Sequence, residues 1–311
     1  MKVRKIKDLL SQVDNPALLF NKLLILEFID GFSQNQNLTE KDKDKKGKDK
    51  GKDKRDEDVE KLKYIDEFKK KIRKEPIPLP EVEDCIIEKF RLKTAYRLVI
   101  GAGYPSFIEN GFLFHHVYGI PYIPGETLKG LARAVFILSV AEAIKGETKL
   151  SKIEEELSEE TEGIFHQMPD RINIVLDNYT IENPVETFRK IFGSKKRRGQ
   201  VIFFDAYPVE FNPSEHFEVD IMNSHYGDYY QSGKAPADWL SPNPIHFLAL
   251  KEGIVFEFSL GLAPLEPMED NEEKLLLETA RKLLEVGLKN FGVGNKKRKG
   301  YGWFSDKTMG R

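Results

Sequence analysis

The stretch "EEKLLLETARKLLEVGLKNFGVGNKKRKGYGWF", Glu272 to Phe304, decides how the fold is read. Its first part, "EEKLLLETARKLLEVGLKNF", predicts an amphipathic helix. A loop follows in which Gly292, Gly294, Gly300 and Gly302 bracket the basic run Lys296, Lys297, Arg298 and Lys299. The segment closes on a short strand, "GYGWF". A glycine-rich loop that follows a helix and precedes a strand has the reverse order of a dinucleotide-binding fingerprint, which excludes that motif. Four positive charges on a glycine-bracketed loop point to phosphate instead.

Working outward, "IHFLALKEG" and "IVFEFSLGLAP" predict two strands joined as a hairpin around Lys251 to Gly253. "VIFFDAYPVEF" and "HFEVDIM" predict two more strands, and "PVETFRKIFG" a short helix closed by Gly193. Ser151 to Asn178 is acidic, with helix expected in its first half. In "ETLKGLARAVFILSVAEAIKGE", Leu128, Leu131, Ala132, Val135, Phe136 and Leu138 keep helical spacing behind Pro124 and Gly125. "FRLKTAYRLVIGAG" alternates as a strand ending at Gly101 and Gly103, so the ordered body starts near Lys89. Strand, helix, strands, helix, strand is the order of an α+β, ferredoxin-like (RRM-like) sheet carrying large insertions.

Three segments divide the chain of 311 residues: an N-terminal helical segment over 1–38, a charged insertion over 39–63, and the ferredoxin-like domain over 64–311. The insertion alternates Lys with Asp and has almost no apolar residue to drive packing. The net charge of −2 balances 49 basic against 51 acidic residues, so only local clustering bears on nucleic acid. Cys85 is the only cysteine, which excludes an intrachain disulfide and a thiolate zinc site and suits a reducing, cytoplasmic setting. "LARAVFILSVAEAI" holds Arg133 and Glu142 and is too short to span a bilayer. No phosphate-binding G-x-x-x-x-G-K-[ST] and no H-E-x-x-H occurs, and no metal or other cofactor is expected.

Four clusters carry chemistry. The first is the loop already quoted. The second, "FGSKKRRGQ", sets Lys195, Lys196, Arg197 and Arg198 between glycines without an acid. Each turn alone reads as a solvated basic turn, whereas the pair at the rim of one small sheet reads as a phosphate track. The third, "GIPYIPGETLKGLAR", opens a helix behind a Pro-Gly turn and puts Lys129 and Arg133 on one face. Its glycines are equally compatible with a tight turn and close helix–sheet packing. The fourth, "MNSHYGDYYQSGKAPADWLSPNPI", is dense in Tyr226, Tyr229, Tyr230 and Trp239. Such rings on a loop stack on unpaired bases, anchor a partner protein, or staple the insertion to its own domain.

"YIPGETLKGLAR", "FGSKKRRGQVIFFDAYP" and "GVGNKKRKGYGWF" together resemble the three hallmark segments of the RAMP superfamily of CRISPR-associated RNA-binding proteins. "DIMNSHYGDYYQSGKAPADWLSPNPIHFLAL" narrows the resemblance to the sixth-subunit family of type III-B Cmr effector complexes, over roughly Leu92 to Phe304. Glu126 and Thr127 stand where serines are more usual in such proteins. The resemblance implies a noncatalytic RNA-binding and assembly subunit in antiviral defence, capping the end of the complex that holds the 3′ portion of the CRISPR guide RNA. Implied partners are that guide RNA, neighbouring RAMP subunits of the Cmr complex, and target RNA through the assembled complex.

Under that reading Lys129, Arg133, Lys195 to Arg198, Gly292, Gly294, Lys296 to Lys299, Gly300 and Tyr301 hold RNA, and Tyr226, Tyr229 and Tyr230 meet partners. Tyr301 either supports the loop or stacks on a base. The alternative is a metal-independent endoribonuclease in which His115 or His116 serves as general base.

Overall fold

The computed structural model describes residues 85–306, apart from 105, 107–109, 145–148, 160–173, 177–178, 225–228, 230–231, 234 and 236–242. The segments 1–38 and 39–63, together with Tyr226, Tyr230 and Trp239, lie outside the described residues. The described residues form two compact units, 85–98 with 122–209 and 252–306, and 99–121 with 210–251.

The first unit is built on a mixed arrangement of helix and antiparallel sheet. Strand β1 is Ile86–Thr94, followed by helices α1 (Gly125–Ile144) and α2 (Leu150–Glu159) and a small hairpin of β2 (Ile174–Leu176) and β3 (Tyr179–Ile181). Helix α3 (Pro184–Phe192), strands β4 (Val201–Phe203) and β5 (Tyr207–Pro208), β8 (Val255–Leu262), helix α5 (Asp270–Asn290) and β9 (Phe304–Ser305) complete it. The sheet runs β4-β8-β1-β9, with β5 also paired to β8. Every pairing is antiparallel.

Burial explains why these segments pack so. Phe90, Leu92 and Thr94 are buried along β1 while Lys89 and Arg91 are exposed, the period-two pattern of a strand with one covered face. Phe90 stacks on Phe258 at 5.2 Å, and Phe304 meets Phe256 and Phe258 edge-on at 5.8 and 5.4 Å. Leu128, Ala132, Val135 and Phe136 of α1 and Leu276, Ala280, Leu283 and Leu284 of α5 are buried. The two helices touch at Gly287, where a Cβ would stand 2.7 Å from Leu131 Cγ. On the other face of β1, Arg91 binds the buried Glu257 carboxylate at 2.7 Å.

The second unit holds a ribbon of β6 (Phe217–Ser224) and β7 (Asn243–Leu250) and a one-turn helix, α4 (Pro213–His216). Phe112, Phe114 and Phe211 surround Phe217 with ring centroids 5.4 to 5.8 Å away.

Three expectations need correction. The hairpin around Lys251 to Gly253 does not form: β7 pairs with β6 over eight residues, and β8 pairs with β1. Gly253, at φ 85°, instead turns the chain onto Thr94, whose carbonyl accepts its N–H at 2.8 Å. The strand read through Gly101 and Gly103 starts earlier, at Ile86, and stops at Thr94. Beyond it Ala95 N donates to Trp303 O and Arg97 O accepts from Gly302 N, both at 2.8 Å, so the last loop takes those hydrogen bonds. "VIFFDAYPVEF" is two strands rather than one. Asp205 breaks it, because its carboxylate accepts the Gly125 N–H at 2.7 Å while Ala206 and Ile123 exchange hydrogen bonds at 2.9 Å.

Candidate nucleic-acid interface

The loop between α5 and β9 is a closed frame carrying an open crown. Its ends cross where Val293 N donates to Gly302 O at 2.9 Å, with Val293 and Tyr301 buried beneath. A Cβ on Gly302 would stand 1.8 Å from Val293 O, and φ there is 74°, so only glycine closes this frame. Gly292, at φ 67°, lies against the Trp303 indole, whose Cδ1 would be 2.5 Å from a Cβ at that position. These two glycines therefore serve the chain's own packing, where the sequence alone suggested close approach to a polyanion.

The crown is one turn of 3-10 helix over Lys297–Lys299, closed by Lys299 N and Gly300 N donating to Lys296 O and Lys297 O at 2.9 Å. Lys297, Arg298 and Lys299 are exposed. Three residues per turn fan their side chains about 120° apart, so they offer charge in three directions rather than a single clamp. Lys296 sits at φ 57° in the left-handed region, which costs a side-chain-bearing residue about 1–2 kcal/mol. Among the described residues only Asn183 shares that property.

Tyr301 is 8% exposed and supports the loop. It meets Tyr96 edge-on at 5.3 Å, and the Arg97 guanidinium lies over the Tyr96 ring at 5.2 Å while donating to its hydroxyl at 2.7 Å. Tyr96, Arg97 and Trp303 all border the loop, and none was selected from the sequence as a site residue. Trp303 was legible: Phe304 belongs to the core, and alternation turns its neighbour outward.

The second basic turn is built differently. Gly193 and Gly199 pack on each other, a Cβ on the first standing 2.6 Å from Gly199 N. Ser194 N donates to Arg197 O at 2.8 Å, and Ser194 Oγ accepts from Lys196 N and Arg197 N at 3.2 Å. All four basic side chains are exposed, but Lys195 is bound to Glu159, whose hydrogen bond and charge raise its pKa. Lys195 N also donates to Ser158 O at 2.8 Å, tying the turn to α2.

The sheet register does not bring the two basic segments together. The turn precedes Val201, which pairs with Leu262 at the end of β8, on the β4 edge. The loop precedes Phe304, which pairs with Thr94 beside the start of β8, on the β9 edge. Strand rise and spacing put these diagonal corners about 23 Å apart along the strands and about 14 Å across them.

At the start of α1 the anion position is already filled. Gly125 N donates to Asp205 Oδ1, and a Cβ on Gly125 would lie 2.0 Å from Phe203 O. Arg133 pairs with Glu154, donates to Ser158 Oγ at 2.9 Å and lies 5.3 Å from the Phe188 ring centroid. It fastens α1 to α2 and α3. Lys129 is half-buried, and burial, followed by the Arg133 charge, lowers its pKa.

In the second unit Tyr229 is exposed. His115 Nδ1 accepts the backbone N–H groups of Val117 and Tyr118 at 3.3 Å, and its ring stacks on His116 and Tyr118. In the neutral ring this arrangement puts the proton on Nε2 and engages the Nδ1 lone pair within the turn. No group of three or more His, Cys, Asp or Glu side chains among the described residues is placed to hold a metal ion, and no described helix is long and apolar enough to cross a membrane.

Residues 91–305, which contain every described basic cluster, match the RAMP superfamily. The chain belongs to the RAMP superfamily. Within it, the chain is similar to the CRISPR system Cmr subunit Cmr6 of Pyrococcus furiosus, 32% identical over 232 residues. That match spans 68% of this chain and 66% of the relative, just under two-thirds of its length. The crystal structure of Cmr6 from Pyrococcus furiosus matches with a TM-score of 0.47 and 28% identity, over 73% of this RAMP chain and 100% of that one. A chain of the type III-B Cmr-beta complex bound to cognate target RNA matches at 0.44 and 19% identity, over 82% and 65%.

Proposed function

We propose that this RAMP protein is a noncatalytic guide-RNA-holding and assembly subunit of a type III-B Cmr effector complex, acting in antiviral defence. The observation that carries the reading is the crown Lys297–Lys299, exposed on a hydrogen-bonded frame of residues 293–302. Cations on a fixed backbone bind phosphates without reading sequence. The similarity to Cmr6 supports a place in a Cmr complex; within it we assign this chain to the end that holds the 3′ portion of the guide, beside neighbouring RAMP subunits. The strand order β4-β8-β1-β9, with α1 and α5 between strands, favours a ferredoxin-like plan.

The geometry of His115 weighs against that residue as the general base of the endoribonuclease alternative. A general base must aim an unprotonated nitrogen at the 2′-hydroxyl, and the Nδ1 lone pair of His115 is held by two backbone N–H groups. The test has two arms. Replacing Lys296, Lys297, Arg298 and Lys299 with Ala should weaken single-stranded RNA binding across sequences and flatten its salt dependence by about 0.7 per lost phosphate contact. An unchanged slope sinks the phosphate reading. RNA cleavage by the wild-type chain in EDTA, abolished in a folded His115→Ala, His116→Ala variant, would establish the nuclease instead.

A further inference from the structure

Trp303 is 40% exposed at the foot of the basic loop, and no aromatic ring or cation packs on its indole among the described residues. Its Nε1–H has no acceptor among them either. An indole with much of its surface exposed is unusual directly before a strand whose first residue, Phe304, is anchored in the core.

The backbone beneath it is fixed from two sides. Trp303 O accepts from Ala95 N at 2.8 Å, Gly302 N donates to Arg97 O at 2.8 Å, and Phe304 is anchored in the core. One edge of the ring rests on Gly292, a position that a Cβ would close to 2.5 Å. Gly292 is thus small because the indole occupies the space beside it. The ring is held in a defined place four residues beyond Lys299. Two other exposed rings border the loop: Tyr96 already faces the Arg97 guanidinium and the Tyr301 edge, and Phe291 caps the end of α5, on the far side of Gly292 from the basic run.

We infer that Trp303 is a base-stacking platform, taking an unpaired base of single-stranded RNA whose phosphates are held by Lys296 to Lys299. This rests on the RNA-holding reading and assigns a separate contribution to it. Charges that fan in three directions fix a phosphate chain poorly in register, whereas one flat apolar ring beside them fixes a base. Stacking is tolerant of base identity, because every base has a π-face.

Trp303 and Trp239 are the two tryptophans, so a full-length Trp239→Phe protein reports Trp303 alone by fluorescence. Single-stranded RNA should quench that signal, and an oligomer of the same length with abasic sites should bind with the same salt slope but without quenching. Trp303→Ala should lower RNA affinity about tenfold while leaving the salt slope intact, and Trp303→Phe should restore most of it. Melting curves identify a variant that fails to fold, in which case the fluorescence comparison decides. If base-bearing and abasic RNA quench equally, or neither does while the lysines still set the slope, the platform is overturned and the phosphate site stands. A signal that shifts with a neighbouring subunit and ignores RNA overturns it in favour of a protein contact. If the lysine variant leaves the slope untouched, it is the RNA-holding reading that falls.

Discussion

The turn at residues 194–198 and the loop at 293–302 contain almost the same letters, two lysines and two arginines against three lysines and one arginine, each flanked by glycine. The shorter one is a tight turn whose backbone N–H groups are taken by Ser194 Oγ and whose first lysine is bound to Glu159. The longer one closes over the buried Val293 and Tyr301, lifts its charges on a 3-10 turn and holds Lys296 at positive φ. The difference is one of loop length. Five residues between packed glycines can only reverse the chain, while ten can enclose apolar anchors and display what lies between them. Basic composition therefore does not rank the two sites; the frame does.

The largest effect should come from breaking that frame. Gly302→Ala places a Cβ against Val293 O at positive φ, and should cost at least about 3 kcal/mol of stability in a denaturant melt. A near-neutral result would mean that the loop closes some other way and that the contrast with the turn is false. Next comes the Lys296 to Lys299 variant, expected to lose about tenfold to a hundredfold in affinity for single-stranded RNA at physiological salt. Changing Lys195, Lys196, Arg197 and Arg198 to Ala should lose no more than about threefold in the same assay, since Glu159 already answers Lys195. Equal losses in the two variants would restore the continuous track that the sequence suggested.

The smallest effect concerns Lys129. Burial and the Arg133 charge disfavour its charged form in the folded protein, so its folded pKa lies below the unfolded value of 10.5. The unfolded chain then binds more protons between those two values, and stability rises with pH through that window. Lys129→Met should raise the melting temperature at neutral pH by no more than about 3 °C and remove that alkaline gain. Loss of RNA affinity without a change in melting temperature would return Lys129 to the RNA contacts.

The sequence by itself determined the elements whose residues encode their own periodicity. Helices α1, α3 and α5 lie where their apolar spacing put them, and Lys297, Arg298 and Lys299 of the last loop are exposed as their charge requires. The resemblance to RAMP proteins was legible for the same reason, because it is carried by contiguous segments. Tertiary structure decided what depends on residues far apart in the chain. Asp205 fills the helix start at Gly125 from 80 positions away and splits a strand that looked continuous. Glu154 claims Arg133 in the same way. Alternation back from the buried Phe304 turns Trp303 outward, but Tyr301, two residues earlier, is buried, because positive φ at Gly300 and Gly302 takes it out of the strand's parity. Only pairing register could set the two basic segments at opposite corners of the sheet, since strand order is a property of long-range hydrogen bonds and not of any local run of residues.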